Sequence, residues 1–146
     1  MTEPTESGRD ELGAHVSASG GVQNTPERAR AIDARVLQLF TKQPSRWAEP
    51  TIDDATAEAF LAQRERLEID VAGAHDSYLI NLSTPDKRLW RRSQQSFAAE
   101  LERCARLRLD FLVTHPGNAT DKNIDAGLER NAAGVTESLE AVDGPT

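Results

Sequence analysis

His75 and His115 stand at equivalent places in the chain. Each follows a short apolar run, Val71-Ala72-Gly73-Ala74 in one case and Phe111-Leu112-Val113 with Thr114 in the other, and each leads into a loop. Parallel strands that end in histidine present their imidazoles at one face of an α/β sheet, the face on which barrel enzymes keep their ligands. Two neutral imidazoles from neighbouring strands are good donors for a borderline metal such as zinc. A lone histidine at a strand end is more often structural, whereas a matched pair points to a site. Zinc takes more than two donors, and a carboxylate from another strand is the usual supplement.

Other residues gather around the pair. Asp76 adjoins His75 and reads either as a carboxylate that orients a metal ligand or as a simple loop carboxylate, because alternation along an extended segment points it away from the metal. His15, in Gly13-Ala14-His15-Val16-Ser17, is a third histidine at a strand end, suited to lining the pocket or meeting a phosphate oxygen. Gly20-Gly21 is a turn that could also offer backbone N–H groups to a phosphate. The run Thr41-Lys42-Gln43-Pro44-Ser45-Arg46-Trp47 collects cation, amide, hydroxyl and aromatic groups on one loop. Lys42 and Arg46 there could meet phosphates while Gln43 and Ser45 probe a base stack, and Trp47 reads as packing inward. Tyr78 could offer a flat face to a base or sugar, or be an ordinary buried tyrosine. The basic cluster of Lys87, Arg88, Arg91 and Arg92 around Trp90 reads as a solvated helix face.

These residues need a scaffold, and the alternation of short apolar runs with longer 3.6-period segments predicts four βα units with a parallel sheet. Strands are expected at 12–16, 36–40, 71–74 and 110–114, the last nearly all apolar as in a strand covered on both sides. The first helix is expected to use Thr25 as cap and Pro26 at its first position, with Ala29 and Ile32 inside. A second is expected at 53–67 with Ala55, Ala59 and Phe60 inside. A third is expected at 85–107 with Leu89, Ser93, Phe97, Leu101 and Ala105 on one face. A fourth is expected at 123–142 with Ile124, Leu128, Val135, Leu139 and Val142 inside, stopped by Gly144 and Pro145.

Composition bounds the function. The 146 residues carry a net charge of −7, from 24 acidic and 17 basic side chains, which argues against nucleic-acid binding by bulk charge. Any contact with DNA has to be local. The mean hydropathy is −0.57, and no apolar run approaches the roughly 18 residues of a membrane span. Residues 1–11 mix Thr, Glu, Ser, Arg and Asp without an apolar stretch and read as a disordered acidic tail. The single cysteine, Cys104, excludes an internal disulfide and fits a reducing cytoplasm. It sits at a core-like helix position and reads as a small buried hydrophobe.

Taken in order and spacing, four blocks resemble the N-terminal half of endonuclease IV, the zinc-dependent apurinic/apyrimidinic endonuclease family of DNA base-excision repair. They are Gly13-Ala14-His15-Val16-Ser17 with Gly20-Gly21, Leu39-Phe40-Thr41-Lys42 through Trp47, His75-Asp76-Ser77-Tyr78-Leu79-Ile80-Asn81-Leu82, and His115-Pro116-Gly117. The resemblance runs from Leu12 to the end. It implies a (β/α)8 TIM barrel, of which residues 12–146 cover the first four βα units, and a site of three zinc ions that hydrolyses the phosphodiester 5′ to an abasic site. The products implied are a 3′-hydroxyl and a 5′ deoxyribose phosphate, and the implied partner is double-stranded DNA with abasic or 3′-blocked damage. By the same resemblance His75 and His115 match two histidines on one zinc, while residues 43–46 and Tyr78 match elements that enter the DNA and help expose the flipped sugar. Some members carry arginine in the middle of the inserting loop, where this chain has Ser45 with Arg46 beside it. The family's other ligands, including a carboxylate that bridges two zincs, come from later strands, so this chain reads as a fragment, truncated before the fifth strand and inactive alone.

Two other readings differ in class. A sugar isomerase or epimerase on a similar barrel also uses histidines, carboxylates and a divalent metal. A non-catalytic remnant, by contrast, would carry exposed sheet edges prone to self-association, whereas the complete family enzyme is expected to be a monomer.

Overall fold

A computed structural model describes residues 12–142. The acidic tail expected at 1–11 and the helix stop expected at Gly144 and Pro145 lie outside the described residues. Four βα units follow one another: β1 (Gly13–His15) and α1 (Thr25–Arg30), β2 (Val36–Leu39) and α2 (Asp54–Arg66), β3 (Val71–His75) and α3 (Lys87–Arg106), β4 (Phe111–Val113) and α4 (Ile124–Ala141). The strands pair in parallel in the order β1-β2-β3-β4. Such a sheet needs a crossover between each pair of strands, and the helices supply it.

Each long helix starts on a side-chain cap. Asp53 accepts from Thr56 N at 2.7 Å, Asp86 from Arg88 N and Leu89 N at 2.8 and 2.9 Å, and Asn123 from Ala126 N at 3.1 Å. These bonds satisfy amides that the helix itself leaves free. The first helix departs from expectation. Asn24 holds its cap position without a side-chain bond, and Thr25 lies inside the helix, its hydroxyl donating to Val22 O at 2.7 Å.

The first three helices end alike. Asp33, Glu68 and Arg108 take positive φ values of 58°, 53° and 48°. The next residue in each case, Ala34, Ile69 or Leu109, donates back to Ala29 O, Arg64 O or Cys104 O at 3.0 Å. This closes the helix in a left-handed turn, and the following strand begins three residues after each left-handed residue, at Val36, Val71 and Phe111.

Below the sheet Arg64 fastens two units together. Its guanidinium donates to Ile69 O, Asp70 O, Arg108 O and Asp110 Oδ2, and the same Asp110 oxygen accepts from Ala72 N at 2.8 Å.

Strand alternation divides the sheet into two faces. Leu37, Leu39, Ala72 and Ala74 turn towards the helices and are buried with Ala29, Phe60 and Leu107. Ala57 is buried in α2 as well, whereas Ala55 is exposed and Ala59 half-buried, so the inner line of that helix is shifted from the expected one. Ile32, expected inside, is exposed because α1 ends at Arg30. A second core cluster packs Ile80 and Leu82 against Phe97 and Leu101 of α3. Cys104 is buried on that helix, and burial, with Glu100 nearby, pushes its thiol up to about 12. It behaves as the core residue expected.

The other face carries Gly13, His15, Val36, Gln38, Val71, Gly73, His75, Phe111 and Val113. Phe111 is 41% and Val113 37% exposed, so β4 is not covered on both sides as its apolar sequence predicts. On this face Phe40 packs against His15 and His75, and the Phe111 ring lies where a Cβ on Gly73 would come within 2.2 Å of it. In α4 the expected stripe is rotated by roughly a quarter turn. Gly127, Gly134 and Ser138 are buried, while Ile124, Leu128 and Leu139 are exposed. The small residues let α4 approach closely, since a Cβ on Gly134 would sit 2.9 Å from Leu82 Cδ2. Val135 and Val142 pack at the edge of the second core cluster as expected.

Candidate functional site

Strand register sets the site. His15 pairs with Gln38, Gln38 with Gly73, and His75 with Val113, so the histidines emerge at the C-terminal ends of the strands. Phe40, the first residue after β2, sits among them. Its ring centroid lies 4.4 Å from that of His15, 5.6 Å from His75 and 5.3 Å from Tyr78. His75 and His115 approach to 5.0 Å, and His75 and Tyr78 to 6.0 Å. The two histidines singled out by sequence are therefore neighbours, with His15 beyond Phe40 on the same rim.

Hydrogen bonds hold two of the imidazoles. His75 Nδ1 lies 2.9 Å from the carbonyl oxygen of Asp76. A carbonyl only accepts, so in the neutral ring Nδ1 carries the proton and Nε2 keeps a free lone pair. His15 Nδ1 meets Gln38 Oε1 at 3.0 Å, which by the same reasoning leaves its Nε2 open.

Asp76 is 2% exposed. Its amide donates to Val113 O at 3.0 Å, and its Oδ2 accepts from Thr114 Oγ1 at 2.5 Å. Its other oxygen is 3.7 Å from His75 Nδ1, so the stronger hold on that histidine comes from the Asp76 backbone. Burial pushes the Asp76 carboxyl up to about 6, although the Thr114 bond and the two histidines act the other way. Asp76 thus ties the ends of β3 and β4 together.

Two clefts flank this rim. One, of about 610 Å³, is lined by His15, Ser17, Phe40 and Gln43; the other, of about 340 Å³, by Tyr78, Asn81, His115 and Asn118. Tyr78 is 65% exposed, the open aromatic face of the two sequence alternatives. Gly20 and Gly21 have φ of 79° and 120° and form a turn. Gly21 N is used by Ala18 O, while Arg28 braces the turn by donating to Ser17 O and, at 2.6 Å, to Ser19 O.

The loop after β2 carries Gln43, Ser45 and Arg46 exposed at the same rim. Pro44 O accepts from Tyr78 N at 3.0 Å and from Ser77 Oγ at 2.7 Å, which joins this loop to the one after β3. Lys42 departs from its expected role. Its side chain is 1% exposed, and its ammonium is taken by Glu49 at 2.6 Å and Ser96 Oγ at 3.0 Å, so it does not face a ligand. Trp47 is half-buried with the Arg92 guanidinium 4.5 Å from its ring centroid, so that part of the basic face of α3 is stacked rather than solvated.

Among the described residues no group of three or more His, Cys, Asp or Glu could hold a metal ion. The metal-ligating potential here is a pair of imidazoles. Sequence reading did not single out Phe40, Gln38 or Thr114 as site residues. Parity along β2 identifies Gln38, because Leu37 and Leu39 must face the helices.

Residues 26–144 match a family model described as xylose isomerase-like TIM barrel. The chain is 42% identical over 136 residues to a probable endonuclease 4 from Chloroflexus aggregans, an alignment covering 92% of this chain and 48% of that protein. A crystal structure of endonuclease IV from Thermus thermophilus superposes with a TM-score of 0.78 at 32% identity, over 89% of this chain and 47% of that one. D-Psicose 3-epimerase from Clostridium cellulolyticum H10 superposes with a TM-score of 0.62 at 15% identity, over 88% of this chain and 48% of that one, a likeness of fold alone. The chain spans about half the length of the curated relatives it matches, and its four-stranded parallel sheet is the corresponding half barrel. The chain belongs to the xylose isomerase-like TIM-barrel family, and within it is similar to endonuclease IV.

Proposed function

We propose that this chain supplies the N-terminal half of a zinc-dependent endonuclease of DNA repair, which hydrolyses the phosphodiester 5′ to an abasic site in duplex DNA. The observation that carries this reading is the approach of His75 and His115 to 5.0 Å on the rim that also bears Tyr78 and residues 43–46. The endonuclease IV relatives supply the nuclease class.

The donor chemistry suits zinc. His75 offers a free Nε2 fixed in direction by its Nδ1 bond, and His115 is exposed beside it. Together they give two of the roughly four donors a zinc ion takes, and the complete family site of three ions needs further ligands. Bound there, zinc supplies Lewis-acid stabilisation of charge on a phosphoryl oxygen.

The remaining work falls to residues of this chain. In this reading Arg46 pairs with a backbone phosphate, Gln43 and Ser45 hydrogen-bond in a groove, and Tyr78 stacks where a base is missing. Extruding a nucleotide costs least where no base pair has to be broken, which favours an abasic target. The net charge of −7 confines the contact to this rim, and Lys42 has no part in it.

Affinity for a duplex with an abasic mimic, measured against the intact duplex at one fixed salt concentration, tests the reading. Preference for the abasic duplex is expected, with Arg46→Ala weakening binding roughly tenfold. Equal affinity for both duplexes, or none for either, would overturn it. With two imidazoles alone, the 146-residue chain is expected to leave the abasic strand uncut, and chelator-sensitive cleavage by it would contradict the half-site.

A further inference from the structure

The loop over residues 41–50 is neither helix nor strand, yet both its ends converge on one ionic cluster against α3. At the start, Thr41 Oγ1 donates to Glu100 and accepts from Arg103 Nε at 2.8 Å. Lys42 Nζ donates to Glu49 Oε1 at 2.6 Å and to Ser96 Oγ at 3.0 Å. At the far end, Glu49 Oε1 also accepts from Ser96 Oγ at 2.6 Å, and its Oε2 lies 2.9 Å from Arg103 Nη1, which also donates to Pro50 O at 3.4 Å. Arg103 Nη2 is 3.1 Å from Glu100 Oε2, an ion-pair contact without hydrogen-bond geometry.

The side chains of Lys42, Glu100 and Arg103 are almost wholly buried, and that of Glu49 is 30% exposed. Two cations and two carboxylates cancel, so the cluster is tolerable only as a set. Removing one member leaves a buried charge uncompensated, which costs far more than the net worth of the intact arrangement. Of the four charges, Glu49 alone lies on the loop beyond Trp47, and it touches both cations.

We propose that Glu49, gripped by Lys42, Ser96 and Arg103, is a positioning residue that clasps the 43–48 loop shut in one preformed shape for DNA. The proposal rests on the reading of that loop as a DNA-facing surface. A loop ordered before binding avoids the entropic cost of ordering its side chains on contact. The Pro44 bonds to Ser77 and Tyr78 carry the same order across to the next loop.

The chain has two tryptophans, so a Trp90→Phe background leaves Trp47 as the sole reporter on the loop. In that background Glu49→Gln, which keeps the shape and removes the charge, is compared with its parent by acrylamide quenching of Trp47, by far-UV circular dichroism and by affinity for the abasic duplex. Glu49→Gln is expected to keep helicity, raise Trp47 quenching and weaken DNA binding roughly tenfold. If it loses helicity, Ser96→Ala, which deletes one neutral partner of the same carboxylate, is expected to act in the same directions to a smaller extent. Unchanged quenching in a folded variant overturns the clasp whatever the DNA affinity. Raised quenching with unchanged affinity overturns the positioning role and the DNA role of the loop together. If the parent itself does not prefer abasic DNA, the functional reading fails, and quenching still decides whether the loop is clasped.

Discussion

Thr114 donates its hydroxyl hydrogen to Asp76 Oδ2 at 2.5 Å, and this bond joins β3 to β4 at the point where each strand releases a histidine. His75 precedes Asp76 and His115 follows Thr114, so the separation of the two imidazoles is set by a contact between their neighbours. A carboxylate 2% exposed has few partners to exchange for this one.

Thr114→Val keeps the shape of the side chain and deletes the donor. It is expected to destabilise the fold by about 1–3 kcal/mol, the cost of leaving a buried acceptor unsatisfied, as read from urea unfolding. It is also expected to weaken zinc binding by roughly tenfold or more, because a residue that orients metal ligands typically acts on that scale. A variant with unchanged zinc affinity would show that the histidine pair does not depend on this bond.

The helix ends allow a gain in stability. Glu68 holds φ of 53° and is exposed, so its side chain strains the backbone without being buried. Glu68→Gly is expected to stabilise the chain by about 0.5–1 kcal/mol, the relief of the left-handed conformation less the added freedom of glycine when unfolded. A fall in the urea midpoint would refute the left-handed closure.

Arg64 is expected to be the costliest single surface truncation. Its guanidinium serves three carbonyls and the Asp110 carboxylate at the base of β3 and β4. Arg64→Ala is expected to cost about 2–3 kcal/mol in urea unfolding, and a change below about 0.5 kcal/mol would place it among ordinary surface residues.

Acid acts on the helix caps in a defined sense. The Asp86 carboxylate accepts the amides of Leu89 and Arg88, which lowers its pKa from the ordinary 3.8. A lowered folded-state value means the cap stabilises fully above the unfolded-state value and loses that contribution as pH falls through the folded-state one. Asp86→Ala is therefore expected to lower Tm at neutral pH, with the gap from the parent closing as pH drops below 3.8. A gap that stays constant across that range would mean the carboxylate charge plays no part.

The order of strands and helices was legible because short apolar runs and 3.6-residue periods report element type directly. What lies over an element is not local information. Phe111-Leu112-Val113 reads as a doubly covered strand, yet Leu112 packs on a core cluster while Phe111 and Val113 stay 41% and 37% exposed on the other face. In α4 the conspicuous Ile124, Leu128 and Leu139 lost the inner line to Gly127, Gly134 and Ser138, because close approach to Leu82 and α3 selects small residues over apolar ones. Lys42 reads as a phosphate ligand by composition, and only the fold brings Glu49 and Ser96 to it. The left-handed residues at 33, 68 and 108 carry no sequence signal, because none is glycine. At the site, His75, His115 and Tyr78 were found by their place after apolar runs, while Thr114 and Gln38 became visible only once register was known.

His75 and His115 are proposed to form one half of a zinc site. Titration of the chain with zinc, followed through the ¹⁵N resonances of its three imidazoles, tests it most directly. The expected result is that Nε2 of His75 and one ring nitrogen of His115 shift together in a single step while His15 stays unmoved, and that His75→Ala abolishes the response of His115. Shifts in His115 that persist without His75, or no response from either, would show that the two histidines do not share a metal.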